Sequence, residues 1–300
     1  MNEHESTSYR VKFPSGADRA DHLAGIVDRP KMWHPYKKTG GMRPRPVVVY
    51  SHCFTCNKDF KATVKISRAL ARDGIAVLRY DMTGLGGSDG DFSKTNFTTN
   101  LRDLAAAIRF ANDELGPVTA LVGHSFGGIA SLVTAANSGA HPATDHQDAD
   151  LLRNLKFVAT LAAPSDTQHL ATLLSRMNPA IESEGQGDVT IGGITWTIRR
   201  QMLDDFRRHN VTNRLPQIDC PVLLLHSPVD ATVGIDHAIR LMTLIQTDRS
   251  AADQALTPVS LMSLPGADHL LAKHPQDLTF VSRILAAWCH RFVDDDHASG

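Results

Sequence analysis

The sequence predicts an α/β protein built on a mostly parallel sheet with helices on both faces. Two observations carry this. From Val47 onward, short β-branched or aliphatic runs alternate with helical patterns, which is the signature of strand–helix–strand units. Central runs such as "PVLLLH" are apolar at successive positions, so both faces of those strands must be covered, as parallel sheets require.

Residues 9–13 and 22–27 read as two short strands around a Pro14-Ser15-Gly16 turn, an opening hairpin. Residues 29–46 are basic, contain Pro and Gly, and lack periodicity, which predicts an exposed connection. Strands are then expected at 47–51, 76–80, 118–122, 157–161, 222–225 and 259–264, with helices at 60–72, 99–114, 127–137, 236–247 and 275–292. Residues 165–215 break the alternation with two helical stretches, a "VTIGGITW" hairpin and a charged run at 199–208. Such a connection is far longer than the usual two to six residues. It is expected to be a lid inside one domain spanning residues 1–300, because loops at the carboxyl ends of parallel strands surround ligands in open α/β sheets. A packed ornament is the bland alternative.

Composition narrows the function. The 300 residues carry 31 Lys+Arg against 32 Asp+Glu, a net charge of −1, with 42% hydrophobic and 21% charged residues. That balance excludes a disordered chain and lacks the basic footprint of a nucleic-acid binder. The apolar runs are strand-sized and cannot span a bilayer, and residues 1–10 lack a signal peptide's apolar core. The expectation is a cytoplasmic protein acting on a small molecule. Four cysteines are too few and too scattered for a disulfide framework.

"TALVGHSFGG" places Gly123-His124-Ser125-Phe126-Gly127 between an expected strand and an expected helix. This G-x-S-x-G pattern is a nucleophile elbow, in which glycines permit a sharp turn that lifts the Ser125 hydroxyl above the sheet. The following helix N-terminus offers free N–H groups to developing negative charge. A serine hydroxyl needs a base, and the base needs an orienting acid. The chain order Ser, Asp, His then selects Asp230, just beyond the "PVLLLH" strand, and His269, after the next strand in "GADHLL". Asp230 could instead cap a turn, and His269 is one of 15 histidines. Asp166 in "AAPSD" is the competing acid; it could reach the same imidazole or cap the first helix of the insertion. The two oxyanion donors are expected to be the backbone N–H groups of Phe54 and Phe126, with His52 bracing the first of these loops.

Taken together, "SHCFTCNKDF", "LRYDMTGLGGSDGDF", "GHSFGG", "APSD", "HSPVDATVGID" and "GADHLL" resemble the α/β-hydrolase superfamily. More narrowly they are similar to the hydrolase domain found fused to, or encoded near, OsmC-type hydroperoxide-reductase domains. The resemblance runs from about Tyr9 to Phe292. It implies a Ser125, Asp230 and His269 triad and esterase-like activity; that mechanism is expected to need no cofactor or metal, and any OsmC-type peroxidase is expected to be a separate partner. Cys53 departs from the pattern, since esterases usually carry Gly after this His.

Two other motifs read differently. Gly84-x-Gly86 has Asp89 where a dinucleotide fingerprint needs its third glycine, so it is expected to be a turn on the rim of the site. Cys53-x-x-Cys56 resembles a redox or zinc half-site, but no second pair stands at zinc-site spacing. The expected function is a serine hydrolase for a carboxylic ester or related acyl bond. The alternatives are a thioesterase or aminopeptidase on the same groups, or a redox-associated partner protein whose triad is vestigial.

Overall fold

A computed structural model of the chain describes residues 5–16, 18, 20–35, 45–136, 151–246 and 257–294. Eight strands form one sheet: β1 (Ser6–Pro14), β2 (His22–Pro30), β3 (Val47–Ser51), β4 (Ala76–Tyr80), β5 (Ala120–His124), β6 (Phe157–Leu161), β9 (Val222–His226) and β10 (Val259–Ser263). Their order across the sheet is β1-β2-β4-β3-β5-β6-β9-β10. The first hairpin and its junction with β4 are antiparallel, and every other pairing is parallel.

Successive residues of a strand point to opposite faces, and here both faces are dry. On β3, Val47 and Val49 join one core while Val48 and Tyr50 join the other; on β9, Val222 and Leu224 oppose Leu223 and Leu225 in the same way. Helices α2 (Phe97–Glu114), α3 (Phe126–Ala136) and α7 (Ile235–Gln246) cover the first face through Leu104, Ile108, Leu132 and Leu241. Helices α1 (Lys61–Arg72) and α8 (Pro275–Asp294) cover the second through Ile66, Leu70, Val281 and Leu285.

Several boundaries differ from the sequence expectation for local reasons. Helix α2 starts two residues early because Asn96 and Thr99 form a capping box, which makes Thr99 the third helical residue. Strand β5 starts at Ala120 and runs through His124, delivering the chain straight into the elbow. The opening strands extend to Pro14 and from His22, so seven residues rather than a tight turn join them. The segment at 29–46 is not uniformly exposed. Strand β2 runs to Pro30, and Trp33 is buried with its indole N–H donating to the Leu115 carbonyl at 3.2 Å; residues 36–44, like Asn137 and Thr247, lie outside the described residues.

Between β6 and β9 the chain forms α4 (Gln168–Met177), α5 (Ala180–Ser183), the hairpin β7 (Gln186–Ile191) and β8 (Ile194–Arg199), and α6 (Arg200–Arg208). Gly192 and Gly193 both have positive φ, the backbone that a two-residue hairpin turn requires. Helix α6 buries Met202, Leu203 and Phe206. The segment is tied down beside the N-terminus of α2: the Asn96 amide donates to Gln201 at 2.9 Å and the Thr98 hydroxyl to Asp205 at 2.7 Å.

Candidate active site

The parallel strands end on the same edge of the sheet, and the candidate residues all follow strand ends there. Ser125 lies between the last residue of β5 and the first of α3, with φ at +52°. That left-handed backbone costs a non-glycine residue about 1–3 kcal/mol, and packing holds it in place. A Cβ on Gly123 would lie 2.1 Å from the Gly127 carbonyl oxygen, and one on Gly127 would lie 2.3 Å from that of Ser51. Both elbow glycines are therefore required by close backbone approach. The Ser125 N–H donates to Leu161 at 2.7 Å, fixing the turn to β6.

His269 stands in the loop after β10 and joins the other two candidates. Its Nε2 is 3.0 Å from Ser125 Oγ, and its Nδ1 is 2.7 Å from Asp230 Oδ2. A carboxylate accepts only, so Nδ1 carries the proton and Nε2 is the acceptor for the Ser125 hydroxyl. Asp230 follows β9, and its other oxygen accepts from the N–H groups of Thr232 (2.8 Å) and Val233 (3.0 Å). Burial pushes the Asp230 carboxyl up, yet the bonds from His269 and these N–H groups outweigh it and hold it below the usual range.

Asp166 is not brought to His269. One of its oxygens accepts from the His169 N–H at 3.0 Å in the first turn of α4, and the other lies 3.7 Å from Arg240. Of its two sequence readings, the geometry matches the cap.

The rings of Phe54 and Phe126, the two expected oxyanion donors, lie 5.5 Å apart and edge-to-face. Phe126 is the first residue of α3, so its N–H has no intrahelical acceptor, and no described group accepts from the Phe54 N–H. His52 braces the Phe54 loop: its Nδ1–H donates to the Cys53 carbonyl at 2.8 Å, and its Nε2 accepts from the Met82 N–H at 3.2 Å. Burial pushes the His52 pKa down, which suits a neutral ring used in both directions. Cys53 and Cys56 are joined as a disulfide across this turn.

Three supporting residues escape the sequence reading. His124, fully buried, donates from Nε2 to the backbone carbonyl of His269 at 2.7 Å. Burial, with the neighbouring His269, lowers its pKa to about 4 and keeps it neutral. Buried Asp81 accepts from the Lys58 N–H (2.6 Å), the Lys58 ammonium (2.8 Å) and the Gly87 N–H (2.7 Å), so it joins the far end of the Phe54 loop to the glycine turn. A Cβ on Gly86, at φ +55°, would fall 2.2 Å from this carboxylate, so the Gly84-x-Gly86 turn wraps a side chain rather than a phosphate. Among the described residues no group of His, Cys, Asp or Glu could hold a metal ion, and no helix is long and apolar enough to cross a membrane.

An eight-stranded, mostly parallel sheet covered on both faces, with a serine elbow at the end of β5, defines the α/β-hydrolase fold. The chain belongs to the alpha/beta hydrolase family, whose model matches residues 48–279. The esterase domain of a Rhodothermus marinus protein is 34% identical, with a TM-score of 0.65 over 96% of this chain and 99% of that one. A putative hydrolase from Agrobacterium vitis S4 is 20% identical, with a TM-score of 0.69 over 95% and 99% of the two chains. Est1E from Butyrivibrio proteoclasticus is 18% identical, with a TM-score of 0.68 over the same shares. No curated protein sequence is significantly similar to this chain. These matches establish the superfamily, not the OsmC association.

Proposed function

We propose that this protein is a serine hydrolase that cleaves a carboxylic ester of a small molecule through an acyl-enzyme intermediate. The observation that carries the reading is His269 bridging Ser125 and Asp230, at 3.0 Å and 2.7 Å. Ser125 Oγ attacks the ester carbonyl while His269 Nε2 takes its proton. Asp230 holds the imidazole in the required tautomer and stabilises the imidazolium that forms. The tetrahedral oxyanion accepts from the backbone N–H groups of Phe54 and Phe126. His269 then protonates the leaving alcohol, and the same groups run in reverse with water to free the acid. The insertion at 165–215 acts as the lid, since its Phe206 ring lies 5.5 Å from that of Phe126 and 6.3 Å from that of Phe54.

The 34% identity to an esterase domain supports an ester rather than another acyl bond. The test is labelling with a fluorophosphonate, followed by peptide mapping and an acyl-length series of activated esters. Covalent label on Ser125, with turnover of esters above thioesters and amides, is expected. Failure of the folded protein to label at all would overturn the reading.

A further inference from the structure

The turn that carries Phe54 is closed by a covalent bond. Cys53 and Cys56 flank Phe54 and Thr55 and form a disulfide, their Cα atoms 5.4 Å apart. Within this turn Thr55 has φ at +59°, a region that β-branched residues strongly disfavour. The Cys56 N–H donates to the Cys53 carbonyl at 3.1 Å, and His52 donates to the same oxygen. Two hydrogen bonds and one covalent bond thus hold a backbone that the sequence does not favour. The other two cysteines, Cys220 and Cys289, are buried in the cores and stand outside this bond.

The two cysteines of the bond are unequally buried. Cys53 is buried, whereas Cys56 is partly exposed. Exchange begins when a thiolate attacks one sulfur of a disulfide, and access decides which sulfur is attacked. We propose that Cys53–Cys56 is a thiol-exchange site, open to a dithiol reductant at Cys56, whose oxidation state sets the activity of the Ser125 site. This rests on the serine-hydrolase reading and adds its regulation.

The dithiol is the one co-reactant and supplies both electrons. A reductant thiolate attacks Cys56 Sγ; the Cys53–Cys56 bond breaks, and Cys53 leaves as a thiolate that takes a proton from water. The reductant's second thiolate attacks its own sulfur in the mixed disulfide and releases Cys56, which is also protonated. The protein gains two electrons and two protons, and the dithiol becomes a disulfide. With the clasp open, Thr55 is free to leave its disfavoured backbone region, and the Phe54 N–H moves with it. A shift of about 1 Å in a positioned group can cost around 100-fold in rate.

The test compares the full chain in its oxidised form with the chain reduced by dithiothreitol, with alkylation and mass measurement counting the thiols in each. Reduction should lower both ester turnover and the rate of fluorophosphonate labelling by about tenfold or more, and reoxidation with glutathione disulfide should restore them. A Cys53→Ser, Cys56→Ser double variant should behave like the reduced protein in either buffer. Single variants read the point of attack: Cys56 in Cys53→Ser should react with Ellman's reagent faster than Cys53 in Cys56→Ser. Two new thiols by mass, with unchanged turnover and labelling, would overturn the proposal while leaving the hydrolase reading intact. Absence of labelling in both redox states would instead overturn the hydrolase reading. Should the double variant not fold, the comparison of oxidised and reduced wild type decides alone.

Discussion

The buried ring of His124 holds the backbone of His269: its Nε2–H donates to the His269 carbonyl at 2.7 Å, and the two rings lie 5.6 Å apart. The residue beside the candidate nucleophile thus anchors the loop that carries the candidate base. The neutral donor is built in, because burial lowers the His124 pKa to about 4. His124→Phe keeps an aromatic ring and removes the donor. Turnover should fall by about 10- to 100-fold, chiefly in kcat, as expected when a reacting group is displaced by an ångström or less. His124→Gln keeps a donor and should recover part of the loss. Equal kcat for wild type and the Phe variant would remove His124 from the positioning network.

Ser125→Ala removes the side-chain oxygen that His269 Nε2 contacts among the described residues. Fluorophosphonate labelling should vanish, and ester turnover should drop by about 10⁴-fold or more. Both are measured on a variant shown by circular dichroism to be folded. A folded variant that still turns over ester near the wild-type rate would move the nucleophile elsewhere.

The competing acids can be separated. Asp230→Asn leaves the carboxamide near His269 but favours the wrong imidazole tautomer, and should cut kcat by about 10⁴-fold. Asp166 bonds to the His169 N–H and lies near Arg240, so Asp166→Asn should change kcat by less than about tenfold, mainly through the insertion it caps. Reversal of that ranking would make Asp166 the acid.

How much of this is readable in the sequence depends on how far each constraint reaches along the chain. The elbow is legible because its demands are local: Gly123, Ser125 and Gly127 lie within five residues, and backbone contact dictates the glycines. Asp230 and His269 are legible because each follows a strand whose period and apolarity mark its end. The insertion's hairpin is visible in Gly192-Gly193. His124 is not, since its partner is a carbonyl 145 residues away and a backbone acceptor leaves no trace in residue type. Asp81 and Lys58 escape for the same reason, one carboxylate serving groups on two separate loops. Trp33 sits in a stretch that reads as exposed, because its burial is set by Leu115, distant in sequence.

The elbow glycines give a stability prediction with an internal control. Gly127→Ala would put a Cβ 2.3 Å from the Ser51 carbonyl oxygen. That neighbour is backbone, so β3 and α3 would have to part. Overpacking of this kind costs roughly 1–3 kcal/mol, and the displacement would fall beside both Ser125 and the Phe54 loop. Gly74 has positive φ, but a Cβ there would meet nothing within 4 Å, so Gly74→Ala carries only the left-handed penalty of about 1–2 kcal/mol. Gly127→Ala should therefore lose activity as well as thermal stability, whereas Gly74→Ala should lose stability alone. Full activity in Gly127→Ala would contradict the packing described for the elbow.

The same His124 makes folding stability depend on pH in a definite direction. Its pKa falls from 6.5 to about 4 in the folded protein. From about one unit above the unfolded value of 6.5 the ring is neutral in both states and contributes no pH dependence. As pH falls from there, the unfolded chain takes up a proton that the native protein refuses, so the native state loses ground. The loss continues until the native ring also protonates near pH 4, and it amounts to roughly 3 kcal/mol over that window. His52, buried and pushed in the same direction, adds to the effect with the same sign. His124→Gln cannot titrate but can still donate a hydrogen bond. Its urea-unfolding free energy should therefore decline less steeply than that of the wild type between pH 6.5 and pH 4. Its slope from about one unit above pH 6.5 should match the wild type, because neither protein exchanges a proton at this position there. Parallel declines for the two proteins across the acidic window would show that His124 is not the group that resists protonation.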